Sequence, residues 1–185
     1  MTILWVVLGI IAVIIFWLIA VYNGLVGLKN RTDEAASDID VQTKRRYDLL
    51  NKLIPTVKGY AKHEKTVFEE VTKARTAAMG AQGLADKAQK ENMLTDTIKS
   101  LFAVAENYPE LKANENFMNL QNQIGETEDK IEASRRFYNG NVRDFNTKIM
   151  VFPNNTVANM LGFKKYDLFE ASSVEKEDVK VDFDK

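Results

Sequence analysis

Cysteine is absent from this chain of 185 residues, and histidine occurs once, as His63. Such a chain has no material for a disulfide framework, a thiolate metal site or a cysteine nucleophile. Three prolines and nine glycines are too few for a turn-rich all-β fold, which punctuates itself every ten residues or so. A surplus of one charge is missing too, since 25 Lys plus Arg stand against 26 Asp plus Glu. A general nucleic-acid binder needs a basic excess to displace counterions from phosphates, so nucleic acid is not expected among the partners.

What the sequence does contain begins with an apolar run. Residues 2–22 carry no charged side chain, and 3–21 are an unbroken series of Ile, Leu, Val, Trp, Phe, Ala and one Gly. At 1.5 Å per residue the run crosses a hydrocarbon core of about 30 Å. Lipid offers no partner for backbone N–H and C=O groups, so the segment must be helical. Trp5 and Tyr22 lie near its ends, where amphipathic rings favour the interface. A cleaved signal peptide would need a basic start, a shorter apolar stretch and small residues at the cleavage site. No Lys or Arg precedes Lys29, and Ala20-Val21-Tyr22 is a poor cleavage context. The expectation is an uncleaved single-pass anchor in a cell membrane, with the lipid bilayer as partner of residues 2–22. Lys29 and Arg31 follow the run closely, with Lys44, Arg45 and Arg46 further on. Basic flanks are retained on the cytoplasmic side, which predicts the N-terminus outside and residues 23–185 in the cytoplasm.

The remainder reads as helix. From Leu25 a three-four alternation runs through Leu28, Thr32, Ala35, Ile39, Gln42, Arg46, Leu50, Leu53, Val57, Tyr60, Glu64, Val67, Val71, Ala74 and Ala78. This is a heptad seam with a few polar members, the pattern of a long helix packed at shallow angles. Pro55 interrupts it, but the seam keeps phase and no capping residue stands just before. A kinked helix over 25–78, about 80 Å long, is therefore predicted. If Pro55 breaks it instead, the same residues give two antiparallel helices.

Gly80 and Gly83 mark the next turn. A second helix, about 86–106, turns one face of Leu94, Ile98, Leu101, Phe102 and Ala105 inward and ends before Pro109. A third begins near Asn114, with Glu115 in its first turn. Its seam is Phe117, Leu120, Ile124, Thr127, Ile131, Ser134, Tyr138, Val142, Phe145, Ile149 and Phe152, stopped by Pro153. A short helix over about 155–161 follows, with Gly162 as its cap. From Lys164 the tail holds seven acidic and five basic residues and few apolar ones, and is expected to be flexible.

The predicted fold is thus all-α. A single N-terminal transmembrane helix (1–24) precedes an elongated antiparallel up-and-down bundle of three to four helices (25–163) and a charged tail (164–185).

Little in the sequence has the spacing of a reaction centre. His63 is followed by Glu64, but Val67 stands where a second zinc-binding histidine would be. Met79-Gly80-Ala81-Gln82-Gly83 lacks the Lys-Ser/Thr end of a phosphate loop, and no serine lies in a Gly-x-Ser-x-Gly elbow. Glu126, Glu128, Asp129 and Glu132 alternate with Lys130, Arg135 and Arg136, as on an exposed helix face laced with charge pairs. No catalytic, cofactor-binding or metal-ligating residue is assigned, no cofactor is expected, and the chain is not read as an enzyme. The most distinctive segment is a polar stripe of Arg135, Asn139, Arg143 and Asn146, with Arg136 beside it, flanking Tyr138, Val142 and Phe145. Arg and Tyr suit interface hot spots, which makes these residues a candidate interaction surface. The competing interpretation is a set of polar contacts between neighbouring helices.

Several of these segments together resemble the LemA family of bacterial membrane-anchored proteins. The likeness lies in Tyr22-Asn23-Gly24-Leu25-Val26, Ile54-Pro55, Val57-Lys58-Gly59-Tyr60-Ala61 and Glu106-Asn107-Tyr108-Pro109-Glu110-Leu111-Lys112-Ala113. It continues through Arg135-Arg136-Phe137-Tyr138-Asn139, Phe145-Asn146, Phe152-Pro153 and Asn155, covering about residues 2–163. The resemblance implies an elongated antiparallel helical bundle behind one membrane span. The family has no established reaction, so it supplies no catalytic residue. The expected function is a membrane-tethered, non-enzymatic interaction or scaffold protein of the bacterial cell envelope. It would have a protein partner of unknown identity, and self-association is left open. The alternative is an enzyme or enzyme accessory whose site is not visible as a linear motif. Membrane remodelling would want a basic amphipathic face, and Lys29 and Arg31 supply little of one.

Overall fold

A computed structural model of the protein describes residues 1–169. Among these the fold is all-α, without strands. Helix α1 spans Thr2–Tyr60, α2 Lys65–Met79, α3 Leu84–Ala105, α4 Pro109–Lys112, α5 Glu115–Met150 and α6 Asn154–Met160. Most of the tail expected to be flexible, from residue 170 on, lies outside the described residues.

The apolar run and the first seam belong to one helix. In α1 the side chains up to Ala20 are exposed, whereas Val21, Leu25, Thr32, Ala35 and Ile39 are buried at steps of three, four or seven residues, with half-buried Leu28 between Leu25 and Thr32. No residue between them disfavours helix strongly enough to stop it. Pro55 also lies inside α1. Its ring removes one backbone donor, but Leu53 and Val57 on either side are fully buried, so packing holds the helix through the defect. The Thr56 hydroxyl donates to the Lys52 carbonyl at 2.9 Å.

The helix does not run on to residue 78 as its seam suggested. It ends at Tyr60, and α2 starts at Lys65. In the turn between them, the Ala61 N–H donates to the Val57 carbonyl at 2.9 Å and the Glu64 N–H to the Ala61 carbonyl at 3.2 Å. Side chains from elsewhere fasten the turn, because the Asn114 amide donates to the Tyr60 hydroxyl (3.0 Å) and the Tyr108 hydroxyl to Glu64 (3.1 Å). Tertiary bonds of this kind override a helical pattern that carries no local stop signal.

The chain divides into two compact units, to both of which α1 and α5 contribute segments. The first comprises Met1–Val41 and Glu132–Asp167. Its core joins Val21 and Leu25 to Phe145, Ile149, Val157 and Ala158, with Phe163 and Tyr166 packed against it. Phe145 meets both of those rings edge-on, with centroids 6.1 and 5.2 Å away. Helix α6 ends in a Schellman arrangement: Gly162 takes φ +73°, and the Phe163 N–H reaches back to the Ala158 carbonyl at 3.0 Å. The second unit comprises Gln42–Ile131 together with Leu168 and Phe169 of the described residues. There Leu50, Leu53 and Val57 of α1 share a core with Val71, Leu94, Leu101, Leu111, Phe117 and Ile124. Asn114 caps α5 by accepting the Phe117 N–H at 3.0 Å.

Tyr138 shows what the α5 seam holds together. It is buried, and its hydroxyl donates to the Asp167 carbonyl at 3.0 Å. Tyr138→Ala should lower stability by about 3–5 kcal/mol, the range for emptying a large aromatic site. Tyr138→Phe should cost about 0.5–1.5 kcal/mol for the lost bond. Burial, reinforced by nearby negative charge, pushes the hydroxyl pKa up to about 12. A raised acid pKa stabilises fully below the unfolded value, about 10, and its contribution is lost as pH climbs toward the folded one. Denaturant titrations across alkaline pH should therefore show stability falling from about pH 10, with a shallower fall in Tyr138→Phe.

Candidate functional site

The α5 stripe splits by environment. Arg136 and Arg143 are exposed, seven residues apart and on one side of the helix. Arg136 forms an ion pair with Glu132 one turn earlier, and Phe137 beside it is 60% exposed. Asn146 is turned inward. Its amide donates to the Tyr166 carbonyl (2.9 Å) and its oxygen accepts the Tyr166 N–H (3.0 Å). It thereby satisfies both backbone groups of a residue beyond the last helix. Arg135 and Asn139 are half-buried and engaged in contacts of their own.

A polar cluster that the seam recorded only as an irregularity occupies the middle of the second unit. Arg46 on α1 and Glu91 on α3 are both fully buried and form an ion pair. The same guanidinium donates to Thr95 at 2.8 Å and pairs with Glu128 on α5, whose side chain is 27% exposed. The Tyr47 hydroxyl donates to the second carboxylate oxygen of Glu91. Burial, and then the Glu91 contact, raises the Tyr47 pKa, so the hydroxyl stays protonated. Buried charge is tolerable only when paired and hydrogen-bonded, and this cluster supplies both conditions. With Arg46 so occupied, it has the character of a structural tie and not of a reactive centre.

A second feature missed from the sequence is a groove of about 770 Å³ between the end of α1 and α2. Its walls carry Lys58, Lys62, Lys65 and Lys73 against one carboxylate, Glu69. Ile54, Phe68 and Ala77 provide the apolar lining. The size is that of a ligand cleft, and the chemistry suits a negatively charged partner with an apolar portion. The turn at 61–64 brings these lysines together, so an unbroken helix offered no hint of them. Among the described residues no group of three or more His, Cys, Asp or Glu side chains is placed to hold a metal ion.

The sequence pattern of the LemA family matches residues 35–183. Protein LemA of Metamycoplasma hominis is 31% identical over 160 residues, spanning 85% of this chain and 72% of that protein. The chain belongs to the LemA family. It is also similar to magnetosome protein MamQ 2 of Paramagnetospirillum magneticum, with 23% identity across 89% of this chain and 71% of the relative. Magnetosome protein MamQ of Magnetospirillum gryphiswaldense is 21% identical across 80% and 64%.

Truncation separates structural from chemical roles in this LemA-family chain. Arg46→Ala should lower stability by about 3–5 kcal/mol, because Glu91 is left as an unpaired buried charge. Arg46→Met combined with Glu91→Leu removes both charges and should recover most of that loss. Urea unfolding followed by circular dichroism measures both. A double variant no more stable than Arg46→Ala would show that the cluster does not act as a charge pair.

Proposed function

We propose that this protein is a membrane-tethered, non-enzymatic interaction or scaffold protein of the bacterial cell envelope. One observation carries the proposal: α1 passes from a wholly exposed apolar run directly into the buried seam, so anchor and body share one helix. A helix of that length and composition suits a bilayer, and the packed seam suits a partner-facing body. In this proposal the body is an antiparallel up-and-down bundle. Two clusters support that arrangement: Leu25 shares one with Ile149, and Leu53 shares the other with Phe117. The division proposed is an anchor near 1–24, a bundle over 25–163 and a tail from 164, with Val21 packing as part of the bundle core. In this proposal the bundle faces the cytoplasm, a reading supported by the basic residues that follow the apolar run. The partner-facing surface is the α5 stripe, with Arg136, Phe137 and Arg143 as its accessible members. Arg135, Asn139 and Asn146 support it from the inner side, and a homo-oligomer is one form the partner takes. A second proposal, an enzyme or enzyme accessory, is favoured by the lysine-lined groove alone.

Full-length protein should resist alkaline carbonate extraction from membranes. A chain starting at Ala20 should be soluble and helical. One starting at Lys29 loses Val21, Leu25 and Leu28 from the first core and should unfold more readily, by several kcal/mol in the range of large-to-small core changes. In intact cells a Val41→Cys thiol, exposed and the chain's single cysteine, should resist an impermeant maleimide; labelling equal to that of an outside control would reverse the orientation.

The α5 surface makes a separate prediction. Arg136→Glu and Arg143→Glu should leave stability within about 0.5 kcal/mol, as exposed changes do, while abolishing in-cell crosslinks from α5 identified by mass spectrometry. Asn146→Ala should instead cost about 1–3 kcal/mol, because it strands the Tyr166 backbone groups. Crosslinks that survive both charge reversals would remove the stripe as the partner site.

A further inference from the structure

Val157 and Ala158 of α6 are buried in the core, but apolar side chains at the two ends of the helix are exposed. Met160 is 81% exposed and Leu161 52%, and Phe152 in the turn before the helix is 83% exposed. Met160 and Leu161 do not merely face away from the core, because their position along α1 is fixed. Leu18, Ile19 and Tyr22 of α1 line one wholly apolar groove of about 320 Å³ together with Val157, Met160 and Leu161. Below them in α1 the apolar run continues without interruption to residue 3. At 1.5 Å per residue, Leu18 lies about 6 Å inside the end of the run at Tyr22. Whatever medium surrounds Leu18 and Ile19 therefore surrounds Met160 and Leu161.

We propose that the end of α6 is a second membrane contact, with Met160 and Leu161 lying in the boundary between headgroups and acyl chains beside the span. The inference rests on the transmembrane reading of residues 2–22 and adds to it a surface contributed by the opposite end of the chain. The occupant of the α1–α6 groove is the acyl chain of a bilayer lipid. The chemistry around it matches, since Lys164 and Lys165 follow the helix as exposed cations, suited to anionic headgroups at the level where an interfacial helix sits. Tyr22, at the rim of the same groove, is the ring type that favours that depth. In water this arrangement would leave the exposed apolar run of α1 contiguous with Met160 and Leu161, a surface that soluble proteins avoid.

The chain's lack of cysteine makes the test clean. Nitroxide is attached to single cysteines in the full chain, reconstituted in vesicles of phosphatidylcholine and phosphatidylglycerol. Collision with oxygen, which concentrates in acyl chains, is then compared with collision with a water-soluble nickel chelate. Val13→Cys reports on the span, Val41→Cys on water, and Met160→Cys with Leu161→Cys on α6; circular dichroism checks that each stays helical. The expected result is an oxygen-to-nickel ratio several-fold higher at 160 and 161 than at 41, approaching that at 13. A high ratio at 13 with a water-like ratio at 160 and 161 would overturn the α6 proposal and leave the span standing. A water-like ratio at 13 would overturn the span, and the α6 proposal with it.

Discussion

A guanidinium buried in an apolar interior must be met by carboxylates, and Arg46 imposes that condition on three helices at once. Its partners lie on α3, through Glu91 and Thr95, and on α5, through Glu128. Aliphatic contacts tolerate a slip of one turn with modest loss. A charge pair does not, because the displaced carboxylate and guanidinium would each stay desolvated without a partner. Apolar residues of similar volume would serve stability as well or better, so the advantage of this cluster lies in fixing register within the second unit, the role best attested for buried polar groups at seam positions. Tyr47 extends the same logic by occupying the remaining Glu91 oxygen, so that neither oxygen of the buried carboxylate is left bare.

The seam itself was legible because a helix repeats its inward face every three to four residues. From Leu25 to Val57 nearly every position it named is buried, and from Phe117 to Ile149 likewise. The pattern also carried α1 correctly through Pro55, where burial on both flanks outweighs one lost backbone bond. It failed at 61–64 for an instructive reason. The stop there consists of Tyr60–Asn114 and Glu64–Tyr108 bonds, between residues 54 and 44 apart, and nothing local to the turn announces them.

Contacts of that range also explain which parts of the candidate site stayed hidden. Arg46 is one of the few polar members of the seam, but its carboxylates lie 45 and 82 residues away, too far for local spacing to join them. Glu128 in particular belonged to a run that looked like paired surface residues. The groove lysines depend on the unforeseen turn. For the stripe, spacing placed Arg135, Asn139, Arg143 and Asn146 along one helix but gave no sign that Asn146 is committed to the Tyr166 backbone. Helical periodicity reports which face a side chain occupies. It does not report what packs against that face.

The two units present surfaces of opposite chemistry, and this difference decides what each is able to meet. Around α6 the exposed apolar groups are Met, Leu and Phe, whose transfer out of water is favourable at about 25 cal/mol per Å² whatever the shape of the receiving medium. Such a surface gains from lipid without needing a complementary partner. The groove in the second unit is walled by ammonium groups that are already well solvated. Releasing their water is worthwhile only if an occupant supplies anionic groups in matching positions, which makes that surface selective in a way the first is not. Under the proposals made above, specificity in the protein's associations comes from the second unit or from the exposed arginines of α5, while the apolar groove of the first contributes adhesion to the membrane without choosing among partners.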